Sequence, residues 1–206
     1  MALDREKVLD TALRLIDEVG LDGFSLRRLA KELGVQAPAL YWHFSSKKDL
    51  LDHLVSVTNE RAEAGTAGRP APGETWDDWL AEGMRARRRA MLAHRDGARL
   101  ASGNRPTPDS FPRIERTLGV LVEAGFTPED AIRAVLVLGH YVSGFVLDEQ
   151  GDAERADDEP PALDPEEFPL LASGGRIALD RDTLFEYGLQ RLLDGMRAQV
   201  SDARRP

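Results

Sequence analysis

The tightest constraint on this chain lies in its first quarter, where helical periodicity is cut by glycine at short intervals. Val8, Leu9, Ala12, Leu13, Ile16 and Val19 recur at the spacing of one helix face and stop at Gly20, a residue suited to a left-handed C-terminal cap. Ser25 then precedes Leu26, Leu29, Ala30 and Leu33, and Gly34 closes this second, short helix. A third short helix is expected from Ala37 to His43. Ser46 with Asp49 has the form of a capping box opening a fourth helix over 46–64, with Leu50, Leu51, Leu54 and Val57 directed inward. Helices this short can bury their apolar stripes only against one another.

Two short helices joined through glycine, braced by a preceding helix, are the minimum from which a major-groove reader is built. Here Leu29, Ala30, Leu33 and Leu40 would hold the pair together, and the small Ala30 permits close approach. Gln36 can pair with adenine, and Ala37 and Ala39 can touch a thymine methyl. Arg27, Arg28, Tyr41, His43 and Lys47 are of the types that hold phosphates. Trp42 is counted among the DNA-contacting residues, with part of its ring expected to pack into the core.

The net charge of −9 looks adverse to a nucleic-acid partner until its distribution is read. Residues 1–48 hold eight Lys/Arg against seven Asp/Glu, and all four lysines (Lys7, Lys31, Lys47, Lys48). The remainder holds 19 against 29. An acidic body with a near-neutral head suits a protein that docks on double-stranded DNA by one end.

Beyond the head the pattern stays helical, with no alternating β-rich runs, so the fold class is all-α. The boundaries are expected at 1–48 for a three-helix helix-turn-helix domain and 49–206 for a larger helical domain, with helix 46–64 as connector. Gly65 to Gly73 reads as a loop, and Thr75 with Asp78 caps a helix bearing Trp76, Trp79, Leu80 and Met84. Its continuation, Arg85-Ala-Arg-Arg-Arg89, is the most basic run in the chain. Gly103 to Pro108 interrupts helix again, and Gly125 ends another. Thr127-Pro128-Glu129-Asp130 opens a long Val/Leu/Gly-rich helix to about Glu149. Residues 150–175 read as a mobile acidic Pro/Gly-rich loop with one short helix, and a last amphipathic helix spans 183–200.

Cysteine is absent, which excludes disulfides and thiolate chemistry and leaves a reducing compartment unopposed. The charged start MALDREKVLD does not read as a signal peptide, and no uninterrupted apolar run approaches a membrane span. A cytoplasmic protein without membrane contact is expected. No carboxylate pair, Ser/His/Asp set or metal-ligand cluster has spacing that supports catalysis, so neither an enzyme, a cofactor nor a bound metal is expected. Gly139, Gly144, Gly188 and Gly195 are unfavourable within helices by roughly 1 kcal/mol each. Close packing of the last two long helices against a second copy, as a homodimer, is a reason for them. His53 and His94 read as structural, the latter capping a helix end beside Asp96.

Segment 8–54 resembles the DNA-binding domain of the TetR family of bacterial transcriptional regulators. The marks are Gly20, Phe24-Ser25-Leu26-Arg27, Leu29-Ala30, Gly34-Val35 and Leu40-Tyr41-Trp42-His43-Phe44 followed by Lys47. More loosely, His94 to Ala98, Gly103, Arg105-Pro106-Thr107, Gly139-His140, Gly144 and Val146-Leu147 resemble the C-terminal domain of the tetracycline repressor branch. By that resemblance Arg27, Gln36, Ala37, Pro38, Ala39, Tyr41 and Lys47 stand at DNA-contacting positions. The larger domain would hold a small-molecule effector cavity coupled through the fourth helix to the spacing of two reading heads.

That branch captures a magnesium–drug chelate, and its pocket positions differ here. Ala101 stands where the branch has its metal-binding histidine; Glu63, Gly83 and Thr117 replace the polar trio that grips the drug; Asp148 replaces a longer glutamate. His140, Arg105 and Pro106 remain, with Asn104 in place of a threonine, and Arg87 replaces an aromatic residue. The implied activity is a repressor released by an effector other than tetracycline, acting on an operator unlike the tetracycline operator. Arg87 suggests an acidic or carbonyl group on the ligand if it points inward, and is a surface residue if it joins Arg85, Arg88 and Arg89 in solvent. A helical small-molecule carrier, and a DNA-binding activator without a ligand switch, are the alternatives.

Overall fold

The computed structural model describes residues 4–64, 68–153, 155, 163–174 and 180–203. Among them the regular structure is helical, without strands: α1 (Arg5–Gly23), α2 (Leu26–Glu32), α3 (Ala37–Leu40), α4 (Lys47–Glu63), α5 (Trp76–Leu92), α6 (Gly97–Ala101), α7 (Phe111–Ala124), α8 (Pro128–Ala153), α9 (Pro169–Gly174) and α10 (Arg181–Ala203).

The local signals act as their chemistry requires. The Ser25 hydroxyl accepts from the Arg28 N–H, Ser46 from Asp49 and Thr75 from Asp78, so three helices begin on capped donors. At the end of α2, Gly34 takes φ +68 while Val35 N–H donates to Ala30 O at 2.9 Å and Gly34 N–H to Lys31 O at 3.2 Å. This paired closure satisfies the last carbonyls and turns the chain sharply into α3. α7 ends the same way at Gly125, which delivers Phe126 edge-on to Trp76 at 5.1 Å between ring centroids.

Two apolar clusters result. The head buries Val8, Ala12, Ile16, Phe24, Leu29, Leu40, Phe44, Leu50 and Leu54, reaching into α4, and it takes in Leu100 from α6. The body buries Leu80, Met84, Leu121, Leu138, Val142, Phe185, Leu189 and Leu193 between α5, α7, α8 and α10.

Four features depart from the sequence reading. The first helical run breaks at Gly20, as expected, with φ 75 and ψ 166, but a further turn carries α1 on to Gly23 across a kink. The kink frees the Leu21 N–H, which donates to Asp96 Oδ2 at 2.7 Å. The third helix stops at Leu40 and is followed by a turn in which His43 and Phe44 N–H both reach the Leu40 carbonyl. The helix end expected beside His94 is present, but a further short helix, α6, follows it ahead of the Gly103–Pro108 interruption: Asp96 takes φ 58, and a Cβ on Gly97 would run into the Met91 carbonyl. Finally, one of the four helix glycines is required by a close contact within the chain. A Cβ on Gly188 would strike the Tyr141 hydroxyl, and Gly139 faces Arg87, whereas Gly144 and Gly195 have open space before them.

α8 runs past Glu149 to Ala153, and α9 supplies the short helix expected within 150–175; residues 154, 156–162 and 175 of that stretch lie outside the described residues. α8 is also the one described helix long and apolar enough to meet a membrane-span criterion, with a mean hydropathy of 1.4 over its best window and 33% of that window buried. It packs against α5, α6, α7 and α10 as a core helix of the body.

Candidate nucleic-acid interface and effector cavity

Leu40 and Phe44, four residues apart, take the inward positions of the segment after the turn and are 1% exposed each. The residues between them must therefore point outward. Tyr41 is 56% exposed and Trp42 is 89% exposed, so the expected partial core packing of Trp42 is wrong. Gln36 and Pro38 are exposed, and Ala37, Ala39 and His43 are half-buried beside them. Arg27 and Arg28 are exposed on α2, with Arg28 donating to Gly23 O at 2.9 Å. Lys47 Nζ donates to Phe24 O at 2.8 Å and lies 5.3 Å from the Phe24 ring, so it fastens α4 to the α1–α2 corner. Two of its three ammonium donors remain for an anion. From Leu33 to Lys48 there is no acidic residue. The resulting surface is a protruding, acid-free face with two bare aromatics, on a scaffold fixed by buried Leu40 and Phe44.

The second site is a cavity of about 320 Å³ between α4, α5, α7 and α8. Trp79, Leu80, Met84, Ile114 and Val135 form its apolar wall, and Glu63, Arg87 and Arg113 its inner polar wall. Arg113 Nη1 and Glu63 Oε1 are 2.9 Å apart. Arg87 points inward. Its Nε–H is buried with no hydrogen-bond partner among the described residues, and its guanidinium faces Gly139 of α8. Burial, then the like charge of Arg113, holds its pKa below the usual arginine value, with Glu63 opposing.

The neighbouring arginines take other directions. Arg85 forms a two-pronged pair with Glu186 at 2.7 Å on each prong. Arg88 reaches Glu149 at 2.8 Å and Asp182 at 2.8 Å while lying 4.6 Å from the Phe185 ring. Arg89 meets Glu82 at 2.8 Å. The basic run thus fastens α5 to α8 and α10 on one side and presents a single cation to the cavity on the other.

Similarity to known proteins points the same way. The family described as "Bacterial regulatory proteins, tetR family" matches residues 8–54, and "Tetracyclin repressor-like, C-terminal domain" matches residues 69–200. The chain belongs to the TetR family. It is 36% identical to the tetracycline repressor protein class D of Escherichia coli, over 97% of this chain and 91% of that protein. A single-residue variant of TetR from Acinetobacter baumannii AYE in complex with minocycline superposes with a TM-score of 0.76 at 36% identity, covering 96% of this chain and 98% of that one. Streptomyces coelicolor ActR in complex with actinorhodin superposes with a TM-score of 0.82 at 32% identity, covering 98% and 100%.

Within this TetR-family frame, four of the ten positions expected around the effector line the cavity: Glu63, Gly83, Arg87 and Thr117. The other six lie elsewhere. Ala101 packs against the body core from α6, and the Asn104 amide donates to the Leu100 carbonyl. Arg105 and Pro106 are exposed, Arg105 giving its backbone N–H to Asp52 at 3.0 Å. His140 and Asp148 are exposed on the outer side of α8. The two are eight residues apart and do share a face, but it is turned away from the cavity.

Sequence reasoning missed the joint between head and body. Asp17 on α1 accepts from the Arg95 N–H at 3.0 Å and lies 3.0 Å from His94 Nδ1, so His94 bridges to the head instead of capping its own helix. Arg99 reaches Asp22 at 2.9 Å, and Ser56 meets Thr107 at 2.9 Å. Gln150 of α8 holds the same corner from the body side: its Oε1 accepts from Ala98 N–H at 3.1 Å and its Nε2 donates to His94 O at 2.9 Å. The partial signal for this joint was His94-Arg95-Asp96-Gly97, a polar, sharply turning stretch between helices.

Proposed function

We propose that this TetR-family regulator is a homodimeric, ligand-released repressor that binds a palindromic operator, and that its effector is not a tetracycline–magnesium chelate. The carrying observation is the exposed, acid-free face of Gln36, Pro38, Tyr41 and Trp42 on a buried Leu40–Phe44 anchor. Side chains held this way reach base edges and phosphates without like-charge repulsion. Such a protein works where the DNA is, in the cytoplasm.

Dimerisation rests on the outer face of α8. Ile132, Leu136, Val137 and Leu147 are between 45% and 54% exposed, with Gly144 open among them, and Tyr187 of α10 is 66% exposed. An apolar helix buried over only a third of its best window is stabilised by a second copy of the same face. A twofold dimer places two reading heads at half-sites about 34–36 Å apart, so a small change in their separation weakens DNA binding.

The effector reading rests on the cavity. The relatives named above were captured with minocycline and with actinorhodin. Here Ala101 offers no donor atom, and Asp148 is exposed on the far face of α8, so neither holds a metal chelate in this cavity. A gel shift on the gene's own upstream DNA across a salt series tests the function. A specific complex whose affinity falls steeply with salt is expected; only weak, sequence-independent binding would favour a carrier. Sedimentation at micromolar concentration is expected to show a dimer.

A further inference from the structure

The charged lining of the cavity does not balance. Arg87, Arg113 and Arg116 face it against Glu60 and Glu63. Glu60 and Arg116 are exposed at its mouth, while Arg87, Arg113 and Glu63 form the half-buried interior. Two guanidiniums there share one carboxylate, and Glu63 is already engaged by Arg113 at 2.9 Å. Arg87 keeps a buried Nε–H with no acceptor among the described residues. A buried donor left unmade, beside a like charge, is a standing penalty that an anion entering the cavity would remove. A Cβ on Gly139 would stand 3.6 Å from Arg87 Nη1, an ordinary contact, so the α8 backbone does not crowd the guanidinium from behind.

The opposite wall sets the rest of the ligand. Trp79, Leu80, Met84, Ile114 and Val135 are apolar or aromatic, and the volume of about 320 Å³ admits a body of a few rings. We propose that the cavity binds an organic monocarboxylate with a ring-sized apolar body, its carboxylate received by Arg87 with Arg113 alongside and its rings against Trp79. One surplus positive charge favours a monoanion over a phosphate dianion. The planar guanidinium fork matches the two carboxylate oxygens, which an ester or amide cannot reproduce. This deepens the effector reading above, and rests on it only for the consequence at DNA.

The test uses the full chain and a matched pair of probes, 2-naphthoate and methyl 2-naphthoate, with inorganic phosphate as a plain anion. Binding is followed by calorimetry and by thermal shift. The acid is expected to bind at least tenfold more tightly than the ester. Arg87→Met is expected to remove that preference while leaving ester binding in place, and Arg87→Lys to keep part of it. Equal binding of acid and ester, a preference that survives Arg87→Met, phosphate binding as tightly as the acid, or no binding of the acid would each overturn the proposal. Operator binding by the ligand-free protein is measured separately by gel shift, so a failure at DNA is distinguished from a failure in the cavity.

Discussion

The reading head and the candidate effector cavity are both made of helices, yet they are specified at different ranges. In the head, most decisive relations lie within a turn or two, with Lys47 on the Phe24 carbonyl as an exception. Ser25 caps the helix it begins, Gly34 turns the chain it ends, and Leu40 with Phe44 fixes which neighbours face outward. In the cavity the decisive relations span the chain. Arg87 faces Gly139, and Arg113 pairs with Glu63. A site specified locally survives changes in its surroundings, whereas one specified at long range can be re-tuned by single substitutions while the fold persists.

That contrast is most directly broken at Phe44. Its ring is 1% exposed and packs beside Leu40 and the edge of the His53 ring, 5.7 Å between centroids. Phe44→Ala should destabilise the head by about 3–5 kcal/mol and abolish operator binding. If the two regions are as separable as their clusters suggest, ligand binding in the cavity is retained. Circular dichroism melts with calorimetry on the same sample check this, and loss of ligand binding along with the head would show that the clusters act as one.

The same difference in range explains what was legible. Most of the longer helices, the caps and the turn between α2 and α3 could be read because local propensity and packing agree there, whereas the short α6 could not. The direction of Arg87 could not, since a run of four arginines on one helix offers every direction. It was settled by Glu186 claiming Arg85, Glu149 and Asp182 claiming Arg88, and Glu82 claiming Arg89. Trp42 was misjudged for a related reason: aromatic residues are usually buried, but a turn anchored at Leu40 and Phe44 leaves residues 41 and 42 no inward position. Likewise Gly188 suggested contact with another chain, although the approach it permits is to Tyr141 of the same chain.

The joint between the regions gives the next prediction. Gln150 is the side chain through which α8 holds the corner that in turn holds α1, by way of Ala98 N–H and His94 O. Gln150→Leu leaves both backbone groups without that partner, which should cost about 1–3 kcal/mol. Amide exchange is expected to accelerate at Ala98, and at Leu21 across the joint, because Leu21 N–H is held by Asp96 in the same corner. Acceleration at Ala98 alone would mean the corner does not carry the connection.

Smaller effects sharpen the account of the head. Trp42 is 89% exposed, so Trp42→Ala should change stability by no more than about 0.5 kcal/mol. Operator affinity should nevertheless fall about tenfold, equivalent to about 1.4 kcal/mol. Thermal melts and gel shifts on one preparation separate the two. A fall in melting temperature without a fall in affinity would return Trp42 to a packing role.

The least effect is expected from His53, at the base of the head. Its ring lies 2.7 Å from an Arg5 guanidinium nitrogen, 3.4 Å from Asp49 and 3.5 Å from Asp109. Burial and then the Arg5 charge lower its pKa, against Asp49, Asp109 and Asp52. The unfolded chain therefore takes up a proton first as pH falls. The contribution of His53 is complete above the ordinary histidine value of about 6.5 and is lost as pH falls through the lower folded value. Asp49 does not titrate in that window: hydrogen bonds from Ser45 outweigh its burial and keep its carboxyl below the usual carboxylate range. Melting temperature should accordingly decline modestly from pH 7 toward 5.5, and His53→Gln should flatten that part of the profile. A flat wild-type profile, or an unchanged slope in the variant, would assign the acid sensitivity of the head to its carboxylates.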